Sequence, residues 1–187
     1  SGLDRGATSW QSRLKPRSGG RWEASAKKAT QTVRKAAKLF GADQVGVSRL
    51  DRRWVYSHYF DEKTLKEYPI KFSDEPGYEQ YNEPALLVDG TRVLPKEMQY
   101  AVVLLHEWPG GVEGSEYAPT LLTMGLSSLA YCKFTPTVWM LAEFIRGLGY
   151  QAIPCGNDMA LSIPLAVDAG LGQLGRHSNL INPTLGS

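Results

Sequence analysis

A long apolar tract from about Pro119 to Leu148, interrupted once by Pro136, constrains this 187-residue chain more than any other feature. It reads as helix. A proline inside a helix removes one backbone hydrogen bond and crowds the preceding turn, so a kink or a split into two helices is expected at Pro136. Gly149 closes the tract as a C-terminal cap. Short apolar runs flank it on both sides. Tyr100 to Leu105 is continuous and reads as a buried strand, and Tyr150 to Pro154 reads as another. Pro109-Gly110-Gly111 breaks the chain between strand and helix.

Upstream, residues 1–22 are rich in Gly, Ser and Arg without periodicity and are expected to form an extended arm. Residues 23–187 are expected to form one domain. Its first helix runs from about Ser25 to Phe40, with Ser25 as N-cap and Ala29, Val33, Ala36, Ala37 and Phe40 at helical spacing. Gly41 ends it. Gln44 to Leu50 reads as a strand. Residues 51–97 carry many Tyr, Pro, Asp and Glu with no sustained period, which predicts a long irregular insertion. Its aromatics either line an apolar pocket or pin the segment to the body. Downstream, Cys155-Gly156-Asn157-Asp158 reads as a turn, Leu161 to Ala169 as a buried helix stopped by Gly170, and Asn179 to Asn182 as a last short strand. Helices alternating with short strands give an α/β (α+β) class.

The net charge of +2 conceals an asymmetry, because residues 1–40 sum to +8 and the remainder to −6. The lysines of the first helix fit its solvent face and no nucleic-acid motif accompanies them, so nucleic acid is not expected as a partner. No stretch approaches the roughly 20 apolar residues that cross a bilayer. No basic-then-apolar leader opens the sequence. The two cysteines, Cys132 and Cys155, match no zinc or iron–sulfur spacing and read as buried small residues. His58, His106 and His177 are scattered, none at ligand spacing from a Cys or another His.

The densest chemical signal is Ile153 to Gly175, IPCGNDMALSIPLAVDAGLGQLG. A turn, a buried helix and a glycine-spaced loop follow one another, and glycines let a backbone approach a flat or phosphate-bearing ligand closely. Gly170-Leu171-Gly172-Gln173-Leu174-Gly175 formally matches G-x-G-x-x-G. It follows a helix rather than a strand, however, and lacks the later acidic residue of a dinucleotide site. No Ser or Cys sits in a nucleophile elbow. The residues alone support an α/β domain with a glycine-lined loop and yield no reaction.

Three blocks add to this reading: GADQVGVSRLDRRWVYSH (Gly41–His58), YCKFTPTVWMLAEFIRGLGYQAIPCGND (Tyr131–Asp158) and SIPLAVDAGLGQLGRHSNLINPTLG (Ser162–Gly186). In order and spacing, from roughly Arg34 onward, the chain resembles the reductive dehalogenases. Epoxyqueuosine reductase is a more distant likeness that shares the A-G-L-G loop but not the R-x-W-V-Y-S block. The resemblance implies a nitroreductase-like core, incomplete here, that buries a base-off corrinoid, with electrons from two [4Fe-4S] clusters and an organohalide as substrate. It implies Tyr131 as proton donor and Asn157 as its neighbour, hydrogen-bonding substrate or halide. Gly156, Ser162, Ala169, Gly170 and Gly172 match the corrinoid-contacting stretch. On periodicity alone Tyr131 would be a core tyrosine, and Asn157 a turn residue that tolerates positive φ. A phenol, with its ordinary pKa of about 10, is a poor acid at neutral pH unless a cation stabilises the phenolate.

The resemblance also implies a small membrane-anchor subunit, and a location at the outer face of the cytoplasmic membrane after twin-arginine export. Arg52-Arg53 is internal and not such a leader. The family's arginine after N-P-x-x-G and its C-x-x-C-x-x-C-x-x-x-C-P motifs do not occur in these 187 residues. This stretch by itself is therefore expected to bind corrinoid silently or to act only with the remainder of the dehalogenase chain.

Overall fold

A computed structural model describes residues 20–61, 63–107, 120–156 and 158–186, with only the backbone at 120–124, 126 and 127. The expected arm and the Pro109-Gly110-Gly111 break lie outside these residues, apart from residues 20–22 at the end of the arm. Among the described residues three α-helices, α1 (Ala26–Leu39), α2 (Thr120–Gly147) and α3 (Ser162–Asp168), combine with eight short strands. The strands are β1 (Gln44–Arg49), β2 (His58–Asp61), β3 (Lys66–Phe72), β4 (Ala85–Leu86), β5 (Arg92–Leu94), β6 (Tyr100–Leu105), β7 (Gln173–Leu174) and β8 (Leu180–Ile181). The class is mixed α and β.

Helix α1 begins where its sequence says it should. The Ser25 hydroxyl accepts the Lys28 N–H, satisfying one of the unpaired donors of the first turn. Ala36 and Ala37 are buried, and Lys27, Lys28, Arg34, Lys35 and Lys38 face solvent. All three helices end alike. Gly41, Gly149 and Gly170 have φ of +112°, +88° and +72°. The next amide folds back in each case: Ala42 donates to Ala37, Tyr150 to Ile145 and Leu171 to Ala166. This left-handed closure is why a glycine follows each helix.

β1 pairs antiparallel with β6, Gln44 opposite Leu105 through Arg49 opposite Tyr100. α1 and α2 pack on this ribbon through Ala36, Ala37, Ala42, Val45 and Leu141. β6 is only half covered, not the buried strand its apolar run suggested, because among the described residues it pairs with β1 alone. A second sheet runs β2-β3-β5-β4, with only β3 and β5 parallel. Its core is Ile70, Phe72, Leu94 and Met159.

The structure corrects or narrows further expectations. The insertion at 51–97 is not irregular, since four short strands order it. Its aromatics pin it: Phe72 is in the core, and Tyr56 and Tyr59 pack against that core. Pro136 does not split α2. Beside it the buried Thr137 hydroxyl lies 2.9 Å from the Lys133 carbonyl and 3.0 Å from the Phe40 carbonyl, tying this turn to the end of α1. Residues 150–154 join no ladder. Instead Arg146 Nε donates to the Ala152 carbonyl and Gln151 Nε2 to that of Asn82. Finally, Cys132 is exposed, on the open side of α2.

Candidate functional site

The 155–158 turn sits on the second sheet, held by charge. Arg92 of β5 is only 7% exposed. Its guanidinium lies 3.5 Å from the centre of the Tyr59 ring and Nη1 is 3.1 Å from Asp158 Oδ2. The other carboxylate oxygen of Asp158 accepts the Gly156 N–H at 3.1 Å. One acid thus links a buried cation to the turn's backbone, a pairing strengthened by low local dielectric. Gly156 is therefore fixed. Asn157 lies outside the described residues.

Cys155 packs against the same core, and burial pushes its thiol up to about 12. It stays protonated and inert across the physiological range, whereas Cys132 is open to solvent. A disulfide-exchange reagent at pH 8 should accordingly modify one thiol rapidly and leave the second until the chain is unfolded. Fast modification of both would contradict the burial of Cys155. The raised value also has a sign in stability: between about 9 and 12 the unfolded thiol is ionised and the folded one is not, so this contribution is lost as pH rises.

Tyr131 is 49% exposed on α2, which overrules the core-tyrosine reading. Its ring lies 4.7 Å from that of Phe134, which in turn is 6.4 Å from His106. Burial holds the His106 imidazole below its usual range, hence neutral.

Ser162 and Gly170 bracket α3, both exposed. Nothing lies within 4 Å of where a Cβ on Gly170 would stand. Ala169 and Gly172 serve packing instead. A Cβ on Gly46 of β1 would stand 2.7 Å from the Ala169 methyl, and one on Gly172 would stand 2.4 Å from the Ile181 carbonyl oxygen. Of the expected corrinoid stretch, Ser162 and Gly170 therefore face open space, while Ala169 and Gly172 lock it to β1 and β8.

No protein-family model matches the chain. Curated relatives do. The chain is 33% identical over 182 residues to a tetrachloroethene reductive dehalogenase of Dehalobacter restrictus, covering 90% of this chain. It is 32% identical over the same share to one of Desulfitobacterium hafniense. It is 32% identical over 84% of the chain to one of Sulfurospirillum multivorans. The chain belongs to the reductive dehalogenase family. It spans about a third of the length of these relatives, 32% in each case.

In this dehalogenase stretch three residues to which sequence reasoning gave no part in the site organise it. Arg92 carries the turn. Trp54, inside R-x-W-V-Y-S, donates its indole N–H to Asp168 at 2.7 Å. Asn182, 5% exposed, ties the glycine loop to β1. An Asn-Pro pair is a turn signal that marks Asn182; nothing local marks Arg92, whose partner is 66 residues away.

Proposed function

We propose that this chain is the part of a reductive dehalogenase that holds a base-off corrinoid and offers the proton for replacing halogen by hydrogen in an organohalide, such as a chlorinated alkene or alkane. The observation that carries this reading is the sustained match to three tetrachloroethene reductive dehalogenases. The half-exposed ring of Tyr131 supports it, since a proton donor must meet substrate.

Ser162 and Gly170, at the two ends of α3, are the residues that would hold the corrinoid. Both are exposed, nothing lies within 4 Å of where a Cβ on Gly170 would stand, and these 187 residues hold no D-x-H-x-x-G pattern. When bound, the corrinoid supplies a cobalt centre for electron delivery to the carbon–halogen bond. Around it, the Tyr131 hydroxyl gives its proton to carbon, and the Asn157 amide orients the substrate or the departing halide by hydrogen bonding. Two electrons and one proton enter, and halide leaves.

The chain does not fit the two [4Fe-4S] clusters, because each takes four thiolates and the sequence has two cysteines. In this proposal the remainder of the dehalogenase carries the clusters. A small anchor subunit holds the protein at the outer face of the cytoplasmic membrane after twin-arginine export. No described helix is long and apolar enough to cross a membrane.

Visible spectra and halide assays of the complete protein containing this stretch test the proposal. Corrinoid and iron–sulfur bands together with chloride release from a chloroalkene are expected. Failure to take up cobalamin would overturn the corrinoid assignment. Corrinoid uptake without chloride release would leave a silent binding module.

A further inference from the structure

Resting on that corrinoid-holding reading, we propose that Trp54 is a positioning residue: it grips both ends of α3 and so fixes the surface that Ser162 and Gly170 present to the corrinoid. The R-x-W-V-Y-S block has no chemistry of its own, and the structure shows what it does. α3 spans seven residues, far below the roughly 12–15 at which an isolated helix becomes even marginal in water. Its N-cap, Leu161, offers no side-chain acceptor. Trp54 meets both deficits. Its carbonyl accepts the Leu161 N–H at 2.8 Å. Its indole N–H reaches Asp168 Oδ2, in the last turn, at 2.7 Å.

The neighbours of Trp54 brace this grip. Val55 bridges to Ala160, and the Tyr56 N–H donates to the Met159 carbonyl at 2.8 Å. Arg53 lies 5.4 Å from the Trp54 ring. On the far side, Arg52 binds both oxygens of Asp74 at 2.8 Å and stacks 4.1 Å over Phe72. The Ser57 carbonyl accepts the Ile70 N–H of β3. The block is thus a strut between the second sheet and α3. A phenylalanine keeps an aromatic ring there, smaller than the indole, and lacks the N–H that reaches the acid.

The test uses the complete dehalogenase with cobalamin as probe. Trp54→Phe and Asp168→Ala should each weaken cobalamin binding about tenfold, equivalent to ~1.4 kcal/mol, and shift the melting temperature by no more than a few degrees. Hydrogen exchange at the Ala169, Gly170 and Leu171 amides should quicken, with α1 unchanged. Asp168→Asn, which keeps an acceptor, should restore most of the affinity. The double variant should bind no more weakly than either single one. Should Trp54→Phe fail to fold, the Asp168→Ala and Asp168→Asn pair decides alone. Cobalamin affinity untouched by these substitutions, or losses that simply add, would overturn the inference. If the unsubstituted enzyme takes up no cobalamin, the corrinoid reading itself fails and the inference falls with it.

Discussion

Replacing Tyr131 by Phe in the complete dehalogenase is expected to cut halide release by about 10²- to 10⁴-fold while leaving corrinoid content unchanged. The substitution removes one oxygen and nothing else. The ring keeps its place 4.7 Å from Phe134, and the side chain is already half exposed, so stability should move by no more than about 1 kcal/mol. The loss should fall on kcat and not on KM, because a proton donated only as the carbon–halogen bond yields stabilises the transition state and not the bound substrate. A structural tyrosine would show the reverse: altered melting or cofactor loss, with turnover per corrinoid intact. Steady-state kinetics normalised to cobalt separate the two. Turnover within twofold of the unsubstituted enzyme would remove Tyr131 from the chemistry.

Elements defined by local signals were legible in the sequence. α1 starts at its serine and ends before its glycine, α3 stops at Gly170, and β1 and β6 occupy the runs that predicted them, because caps and continuous apolar runs are short-range properties. The four-stranded sheet was not legible. Its strands are as short as the two residues of β4, too brief to express a period of two, and β3 pairs with β5 across an intervening loop. Residues 150–154 looked like a strand for the opposite reason. The run is largely apolar, but its hydrogen bonds go to α2 and to loop carbonyls and not to a neighbouring strand, and pairing is a tertiary fact. The site divides in the same way. The glycine loop and Tyr131 could be named from the chain itself through resemblance. Arg92 could not, because its role arises only once β5 meets a turn 66 residues downstream. Of the two outcomes expected at Pro136, a kink or a split, the split does not occur, and Thr137 ties the turn beside the proline to α1.

Truncating Asn182 to Ala should be strongly destabilising, about 3–4 kcal/mol, on the basis of roughly 1 kcal/mol for each neutral hydrogen bond and more for a buried group left unpaired. The Asn182 amide is almost saturated. Its two donors go to Gln44 Oε1 and the Leu171 carbonyl. Its oxygen accepts the Thr184 and Leu185 amides at 2.9 and 2.8 Å, with Gln44 Nε2 a longer third at 3.3 Å. Alanine would strand all of these in a site where the amide is 5% exposed and water enters poorly. Set against the 5–15 kcal/mol of a typical domain, a loss of about 3–4 kcal/mol should lower the melting temperature by roughly 10 °C. Gln44→Ala, which breaks only the reciprocal amide pair, should cost about 1–2 kcal/mol, and the two losses should not add. Calorimetry or urea unfolding decides, and a loss under about 1 kcal/mol for Asn182→Ala would contradict the network's weight. The consequence reaches the site as well. Leu171 is both the residue whose amide closes α3 and the one whose carbonyl Asn182 holds. Cutting that tie frees Gly170 from β1, so corrinoid retention should fall in step with stability rather than after it.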